Sequence, residues 1–463
     1  MIRRNKLWDD LSVGDRASLK RQCTANDLYV FAHASGNLNP LHLPNDEHDT
    51  HEAVAPSMWV GSLFSSVIGN SLPGPGSLYR SQTLEFMGRA RIGDELTITV
   101  TVIEKLPDQM VRLDTQVTND RGRVLCAGVA EVQTPTSRVA IEIAEGDIPE
   151  VLITRHAHFD RILEEVEGLD PIPTAVVAPE EPDALGGALL AARHGIIKPV
   201  LIGSRRLIEQ CAEETGDDLT GIEIIDEARH DKAAACAVAM ARAGQVGALM
   251  KGHLHTSDLL SAILKKGEGL RAGRRLSHAF IMDVPGLDHL LVVTDAAVNI
   301  APTLMDKVDI CQNSIDLCLA LGMDQPKVGV LSAVETVNPA IQSTLDAAAL
   351  SKMAERGQIK GGLVDGPLAM DNAMDVNAAR TKGITSLVAG RAEVLLAPNL
   401  EAGNMLAKEL TFVAHAEAGG LVLGARVPVI VTSRADGEKA RLASCAVAAL
   451  YSQWLLRNGR GGH

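Results

Sequence analysis

Four short stretches concentrate side chains able to do chemistry. Phe31-Ala-His-Ala-Ser-Gly-Asn-Leu-Asn-Pro-Leu-His-Leu places His33 and His42 around Asn37 and Asn39. Imidazoles titrate near neutral pH and can move protons. Lys251-Gly-His-Leu-His-Thr-Ser-Asp sets His253 and His255 about a leucine. Arg271-Ala-Gly-Arg-Arg gathers three arginines, and Thr432-Ser-Arg-Ala-Asp follows an apolar run. A guanidinium grips phosphate oxygens bidentately and stays charged. Each stretch also has an ordinary reading. Ser-Arg after a strand caps a helix, a basic run is a solvated patch, and Asp365-Gly-Pro is a turn. His253 and His255 fit a strand–helix loop. His33, His48 and His51 lack metal spacing with cysteine or carboxylate partners, so no metal is expected.

The remaining chemistry is narrowed by exclusion. None of the seven cysteines forms a Cys-x-x-Cys pair, and an odd, scattered set reads as reduced buried thiols. Gly186-Gly187 and Gly203-Ser-Arg-Arg lack the spacing of dinucleotide or Walker loops, so NAD and ATP are not expected. A net charge of −14 disfavours nucleic acid and membrane surfaces. Three Trp, three Tyr and six Phe leave little for base stacking. No run approaches the ~20 apolar residues of a membrane span, and the basic start has no apolar stretch behind it. A soluble, cytoplasmic protein is expected.

The elements that must position these residues divide into two kinds. At about 150 residues per domain, 463 residues suggest about three domain-sized bodies. Seven of the aromatics lie in the first 140 residues, where 14 basic residues nearly balance 16 acidic ones. Beyond a polar, proline-punctuated stretch the composition turns acidic. We therefore expect one domain over 1–140, a linker over 141–155 and a second region over 156–463. In the first, Asp94-Glu-Leu-Thr-Ile-Thr-Val-Thr-Val alternates with the period of a half-buried strand, and Arg123–Val132 reads as another. Ser57-Met-Trp-Val-Gly-Ser-Leu-Phe-Ser-Ser-Val-Ile-Gly is apolar all round, as a helix packed inside a curved sheet would be. After residue 155, short apolar runs such as Ala175–Ala178, Pro199–Gly203, Ala248–Gly252, His289–Asp295, Lys327–Ser332, Gly362–Gly366 and Pro428–Ser433 alternate with helical stretches. That pattern predicts α/β lobes with parallel sheet, and function at the strands' carboxyl ends.

The Phe31–Leu43 stretch resembles the signature of MaoC-like, (R)-specific enoyl-CoA hydratases of the hot-dog fold. Ser62-Leu-Phe-Ser, Leu72-Pro-Gly-Pro-Gly-Ser-Leu-Tyr and Gly93-Asp-Glu-Leu continue the resemblance over most of residues 10–135. It implies an α+β hot-dog domain in which an acid and a histidine activate water and protonate the α-carbon. His42 occupies the histidine position, but the acid's position is Asn37, and an amide cannot exchange a proton near neutral pH. Asp46, Glu47 and Asp49 are nearby carboxylates without the family's spacing. The resemblance also implies that Ser57, through its backbone N–H, and Ser62 contact the acyl-CoA. A module kept for acyl-CoA binding or dimerisation and an active hydratase both remain open.

The second region resembles the phosphate acetyltransferase and phosphate butyryltransferase family over nearly all of residues 160–460. The carriers, in the family's order, are Lys251–Asp258, Arg275-Leu-Ser-His-Ala-Phe-Ile-Met, Val330-Leu-Ser-Ala-Val-Glu, Asp365-Gly-Pro-Leu-Ala-Met-Asp, Pro398-Asn-Leu-Glu-Ala-Gly-Asn and Thr432–Asp436. Glu335-Thr-Val-Asn-Pro and the Thr432 phrase look closer to the butyryltransferase branch. The resemblance implies an isocitrate/isopropylmalate-dehydrogenase-like, two-lobed α/β fold, with lobe one at about 156–288 plus 430–463 and lobe two at about 289–429. It implies exchange of an acyl group between CoA and phosphate, both of them substrates, with no further cofactor. Arg275 and Arg434 would hold phosphate or acyl phosphate, and Ser433 would hydrogen-bond the reacting centre. The acetyltransferase branch has an aspartate seven residues after that serine as a suggested thiol base. Ala440 stands there, with Asp436 and Glu438 close by. A homo-oligomer is expected by the same resemblance. The alternative is a non-catalytic acyl-CoA sensor or assembly module, which Asn37 and Ala440 leave open. A dehydrogenase would need a dinucleotide site and metal-binding aspartates, and neither is seen.

Overall fold

The computed structural model describes residues 2–43, 53–142, 157–431 and 437–459. The chain divides into two compact units, Met1–Ile153 and Thr154–His463. The first unit runs β1 (Ile2–Arg4), β2 (Arg16–Gln22), α1 (Ala25–Ser35), α2 (Ser57–Ser62), α3 (Phe64–Asn70), β3 (Leu78–Gln82), β4 (Glu85–Phe86), β5 (Glu95–Leu106), β6 (Met110–Thr118), β7 (Val124–Gln133) and β8 (Ala140–Glu142). Strands β2-β5-β6-β7-β3 form an antiparallel sheet in that order, with β4 also on β7.

The alternation read in Asp94–Val102 is realised in β5, where Leu96, Ile98, Val100 and Val102 are buried. They share one core with Trp59, Val60, Phe64, Val67 and Ile68 of the two short helices. A helix against one face of an antiparallel sheet is the arrangement expected for a hot-dog domain. The expected single helix is, however, two. Ser62 Oγ donates to the Trp59 carbonyl at 2.7 Å and Ser66 Oγ to the Leu63 carbonyl at 2.6 Å. Such side-chain bonds compete with the helical ladder at the junction. Helix α1 starts on a Thr24/Asp27 capping box and stops at Gly36, whose φ of 70° needs glycine's freedom.

The second unit runs α4 (Ala157–Val166), β9 (Ile172–Val177), α5 (Pro182–Arg193), β10 (Ile197–Gly203), α6 (Arg205–Thr215), β11 (Glu223–Asp226), α7 (His230–Arg242), β12 (Ala248–Lys251), α8 (Thr256–Leu264), β13 (Ser277–Asp283) and β14 (Leu291–Thr294). It continues with α9 (Leu304–Ala320), β15 (Lys327–Leu331), α10 (Gln342–Glu355), β16 (Leu363–Leu368), α11 (Met370–Met374), α12 (Val376–Thr381), β17 (Val394–Leu396), α13 (Leu400–Phe412), β18 (Glu417–Leu423), β19 (Val429–Ile430) and α14 (Glu438–Arg457). One eleven-stranded sheet, β11-β10-β9-β12-β19-β18-β13-β14-β17-β15-β16, runs through the unit.

The expected parallel pairing holds within β11-β10-β9-β12-β19 and within β14-β17-β15-β16. It fails at the centre. β13 is antiparallel to both β14 and β18, and β18 is antiparallel to β19. Both central strands are buried almost throughout, on both faces, so their burial carries no alternation from which a direction could be read. The three reversals leave the two parallel groups running in opposite senses. Their carboxyl ends therefore lie on opposite edges of the sheet. No helix among the described residues is long and apolar enough to cross a membrane.

Candidate active site

Arg275 stands two residues before β13, on the edge where β14, β15, β16 and β17 end. Its backbone N–H donates to Asp309 Oδ2 at 2.9 Å, and its guanidinium Nε donates to Asn299 Oδ1 at 2.8 Å. Asp306 Oδ1 lies 3.4 Å from the same Nε. The terminal guanidinium nitrogens have no bonding partner among the described residues. The side chain is 56% exposed, enough to meet a ligand from solvent.

The cradle is built from the sequence upward. Asn299 is buried and also donates from Nδ2 to the Leu276 carbonyl at 2.8 Å and to Asp295. Asp295, also buried, accepts the backbone N–H groups of His278, Ala297, Val298 and Asn299. One carboxylate thus folds the turn after β14 around itself and pins it to β13. Helix α13 braces that turn from outside. A Cβ at Gly403 would lie 2.5 Å from the Asp295 carbonyl, and Asn404 Nδ2 donates to the Ala296 carbonyl at 3.1 Å. The Pro398–Asn404 motif is therefore a brace for the cradle, and Asn399 caps α13. Asp306 closes the capping box of α9. The Thr303 N–H, then its hydroxyl, and finally Arg275 hold its carboxyl below the usual carboxylate range.

Arg275, Asn299, Asp306 and Asp309 line a cavity of about 710 Å³ with Arg271, Arg274 and the α8 residues Ser257 and Leu264. Arg274 is committed elsewhere, to the buried Asp316 at 2.5 Å. Both ends of α8 reach the cavity, and α8 begins in the loop after β12. That loop lies at the opposite sheet edge, where β19 also ends beside β12. There His253 Nε2 lies 2.9 Å from Glu181 Oε1, and His230 Nε2 lies 2.9 Å from Glu180 Oε2. Glu180 Oε1 accepts the Ser204 N–H at 2.8 Å, tying the ends of β9 and β10 together. His253 lies two residues after β12 and His255 occupies the N-cap position of α8 without a side-chain cap bond, in the strand–helix loop expected.

Ser433, Arg434 and Asp436 lie outside the described residues, as do Asp46, Glu47, His48, Asp49 and His51. Among the remaining motif residues, Glu335 is engaged by Lys382 Nζ at 3.1 Å, which holds it below the usual carboxylate range. The turn expected at Asp365-Gly-Pro is not found: these residues lie inside β16, where Asp365 Oδ1 accepts the N–H of Gly366 at 2.8 Å. Glu438 opens α14 in an exposed position. His278, inside the Arg275 motif, is buried and pushed down to about 4 by desolvation, against the opposing charge of Asp295. All seven cysteines are free, and burial pushes Cys23, Cys311 and Cys445 up to about 12. A thiol so placed is no nucleophile at neutral pH. Among the described residues, no group of three or more His, Cys, Asp or Glu could hold a metal.

In the first unit, His42 ends a short 3-10 turn over Pro40–His42. Its Nδ1 lies 2.7 Å from the Val54 carbonyl. A carbonyl only accepts, so Nδ1 carries the proton and Nε2 keeps the lone pair of a base. Asn37 Oδ1 accepts the Asn39 N–H at 3.2 Å, shaping the turn. Ser57 opens α2 and is exposed, whereas Ser62 bonds back to its own helix. His33 is exposed on α1.

The residues that sequence reasoning missed are Asp295, Asn299, Asp306 and Asp309 around Arg275, and the Glu180/His230 pair. The acidic doublet straight after β9 is the one sequence signal for the latter.

Residues 229–449 match the family described as phosphate acetyl/butaryl transferase. The phosphate acetyltransferase of Rhizobium meliloti is 54% identical over 294 residues, 64% of this chain and 93% of that protein. A branched-chain phosphotransacylase structure from Enterococcus faecalis is 28% identical, covers 61% of this chain and 99% of its own, and superposes with a TM-score of 0.53. The R-hydratase PhaJ1 of Pseudomonas aeruginosa is 35% identical and covers 33% of this chain and 99% of its own, with a TM-score of 0.31. Two phrases lean to the butyryltransferase branch, yet the 54% identity to an acetyltransferase covers 93% of that protein.

Proposed function

The chain belongs to the phosphate acetyl/butyryl transferase family, and from that premise we propose that it catalyses acyl-CoA + phosphate ⇌ acyl phosphate + CoA, with acetyl preferred over butyryl. The preference rests on the 54% identity to an acetyltransferase. The observation that carries the reaction is Arg275. Its Nε is fixed by Asn299 and its terminal nitrogens have no described partner. A planar donor fork held in this way suits a phosphate or acyl-phosphate oxygen pair.

Arg434 and Ser433 complete the reading by resemblance, as the second guanidinium and the donor to the carbonyl oxygen. In the direction of thioester synthesis, the CoA sulfur attacks the acyl carbonyl carbon and its proton passes to a base. The C–O bond to phosphate then breaks and phosphate leaves. Asp436 and Glu438, three and five residues after Ser433 in the sequence, are the candidates for that base. The high pKa of the buried cysteines supports direct transfer rather than an acyl-cysteine intermediate. No cofactor beyond the two substrates is required. We assign the catalytic region the two-lobed dehydrogenase-like architecture, with lobes near 156–288 plus 430–463 and 289–429, and expect a homo-oligomer.

The first unit is an acyl-CoA-binding or dimerising module without hydratase turnover. His42 keeps a base-competent Nε2, but Asn37 supplies no proton-exchanging partner. The deciding experiment is thioester formation from CoA with acetyl phosphate and with butyryl phosphate, using the full chain. Faster turnover of acetyl phosphate supports the reading. Measurable CoA binding without turnover of either sinks it.

A further inference from the structure

A second cavity, of about 340 Å³, lies at the edge where β9, β12 and β19 begin. Ile172, Val246, Val427 and Leu455 line it, all of them apolar and buried. Arg426 lines it as well and is half-buried. No described residue bonds or ion-pairs with its guanidinium, although its backbone is fixed. A cation placed among apolar groups without an anion is costly. An apolar pocket of this size with one orienting charge has the make-up of a small-ligand site. Asp170 also lines the cavity, but it is exposed and solvent screens it. Its charge still counts against a dianion.

We propose that this cavity binds a small aliphatic monocarboxylate, with its carboxylate on Arg426 and its chain against Ile172, Val246, Val427 and Leu455. No residue lines both this cavity and the Arg275 cavity. The two nevertheless share a wall. The Arg426 N–H donates to the Leu270 carbonyl at 2.9 Å, Ala425 forms a bridge with Arg271, and a Cβ at Gly424 would lie 2.4 Å from the Arg275 carbonyl. An occupant that draws Arg426 inward acts on the segment that carries Arg271 and Arg275. Carboxylate binding and phosphate use are therefore coupled. The coupling rests on the transferase reading, whereas the binding does not.

The test is calorimetric titration of hexanoate into the full chain, with hexanol as the uncharged control. Hexanoate is expected to bind and hexanol not. Arg426→Gln should weaken hexanoate by about tenfold or more. Arg426→Lys should restore part of it, which separates a lost charge from a lost fold. Arg275→Gln should leave it within about twofold. No hexanoate binding, or binding that survives Arg426→Gln but is lost in Arg275→Gln, overturns the site. If binding behaves as expected but saturating hexanoate leaves the phosphate KM unchanged, the site stands and the coupling is overturned.

Discussion

His42 in the first unit and Arg275 in the second are both held for chemistry, but by different amounts of structure. One bond to the Val54 carbonyl orients His42, and the position of its acid partner is an amide. Arg275 is held through its own N–H and its Nε, and Asn299 and Asp295 are fixed in turn by five further bonds or more. The contrast teaches that a positioned base is inexpensive to retain after its partner is gone. An anion cradle instead spreads its demands over strands, turns and helices that lie far apart in the chain.

The comparison is broken first at Arg275. Arg275→Ala should lower kcat/KM for phosphate by about 10²–10³, since it removes a charged donor from the developing negative charge. CoA binding, followed by calorimetry, should change little; an unaltered phosphate KM would remove Arg275 from the site. The reciprocal change sharpens the other side. Asn37→Asp should create crotonyl-CoA hydration, about 10² above the uncatalysed background that the wild type shows. The gain should vanish when His42→Ala is added, and hydration by the wild type itself would refute the inactive reading.

Asn299→Ala should cost about tenfold in phosphate kcat/KM, because it acts through the orientation of Arg275. Its effect should shrink in an Arg275→Ala background, where a purely structural role would persist. The smallest expected effect is a pH dependence. Burial pushes His278 down to about 4 in the folded chain, from an ordinary imidazole value of 6.5. It thus contributes stability that is complete above pH 6.5 and is lost as pH falls toward 4. By pH 5.5 the loss should be about 1 kcal/mol. Denaturant midpoints of His278→Phe should lack that part of the decline.

Much of this was legible in the sequence where one local pattern determined one local result. The alternation of Leu96, Ile98 and Val100 marked a strand, and that strand is β5. The six motifs, in order, pointed to the family. What was hidden depended on contacts across the chain. β13 and β18 are buried on both faces, so nothing local tells that they run against their neighbours. Asn299 and Asp306 become site residues only when the turn after β14 and the start of α9 come to Arg275. The helix over Ser57–Gly69 reads as continuous because serine's competition with the ladder is invisible to an apolar pattern.

The position of β19 has a consequence for how the protein is made. This strand inserts between β12 and β18, and α14 then packs on α4 and α5. Strands β9 to β12 thus emerge from the ribosome some 180 residues before the partner that completes their sheet. During synthesis their edge, at β12, stays unpaired while the whole of β13 to β18 is translated. An open edge of that kind invites pairing with the wrong strand. The first unit, by contrast, completes its main sheet, β2-β5-β6-β7-β3, by Gln133, so the edges of that sheet wait for far less of the chain.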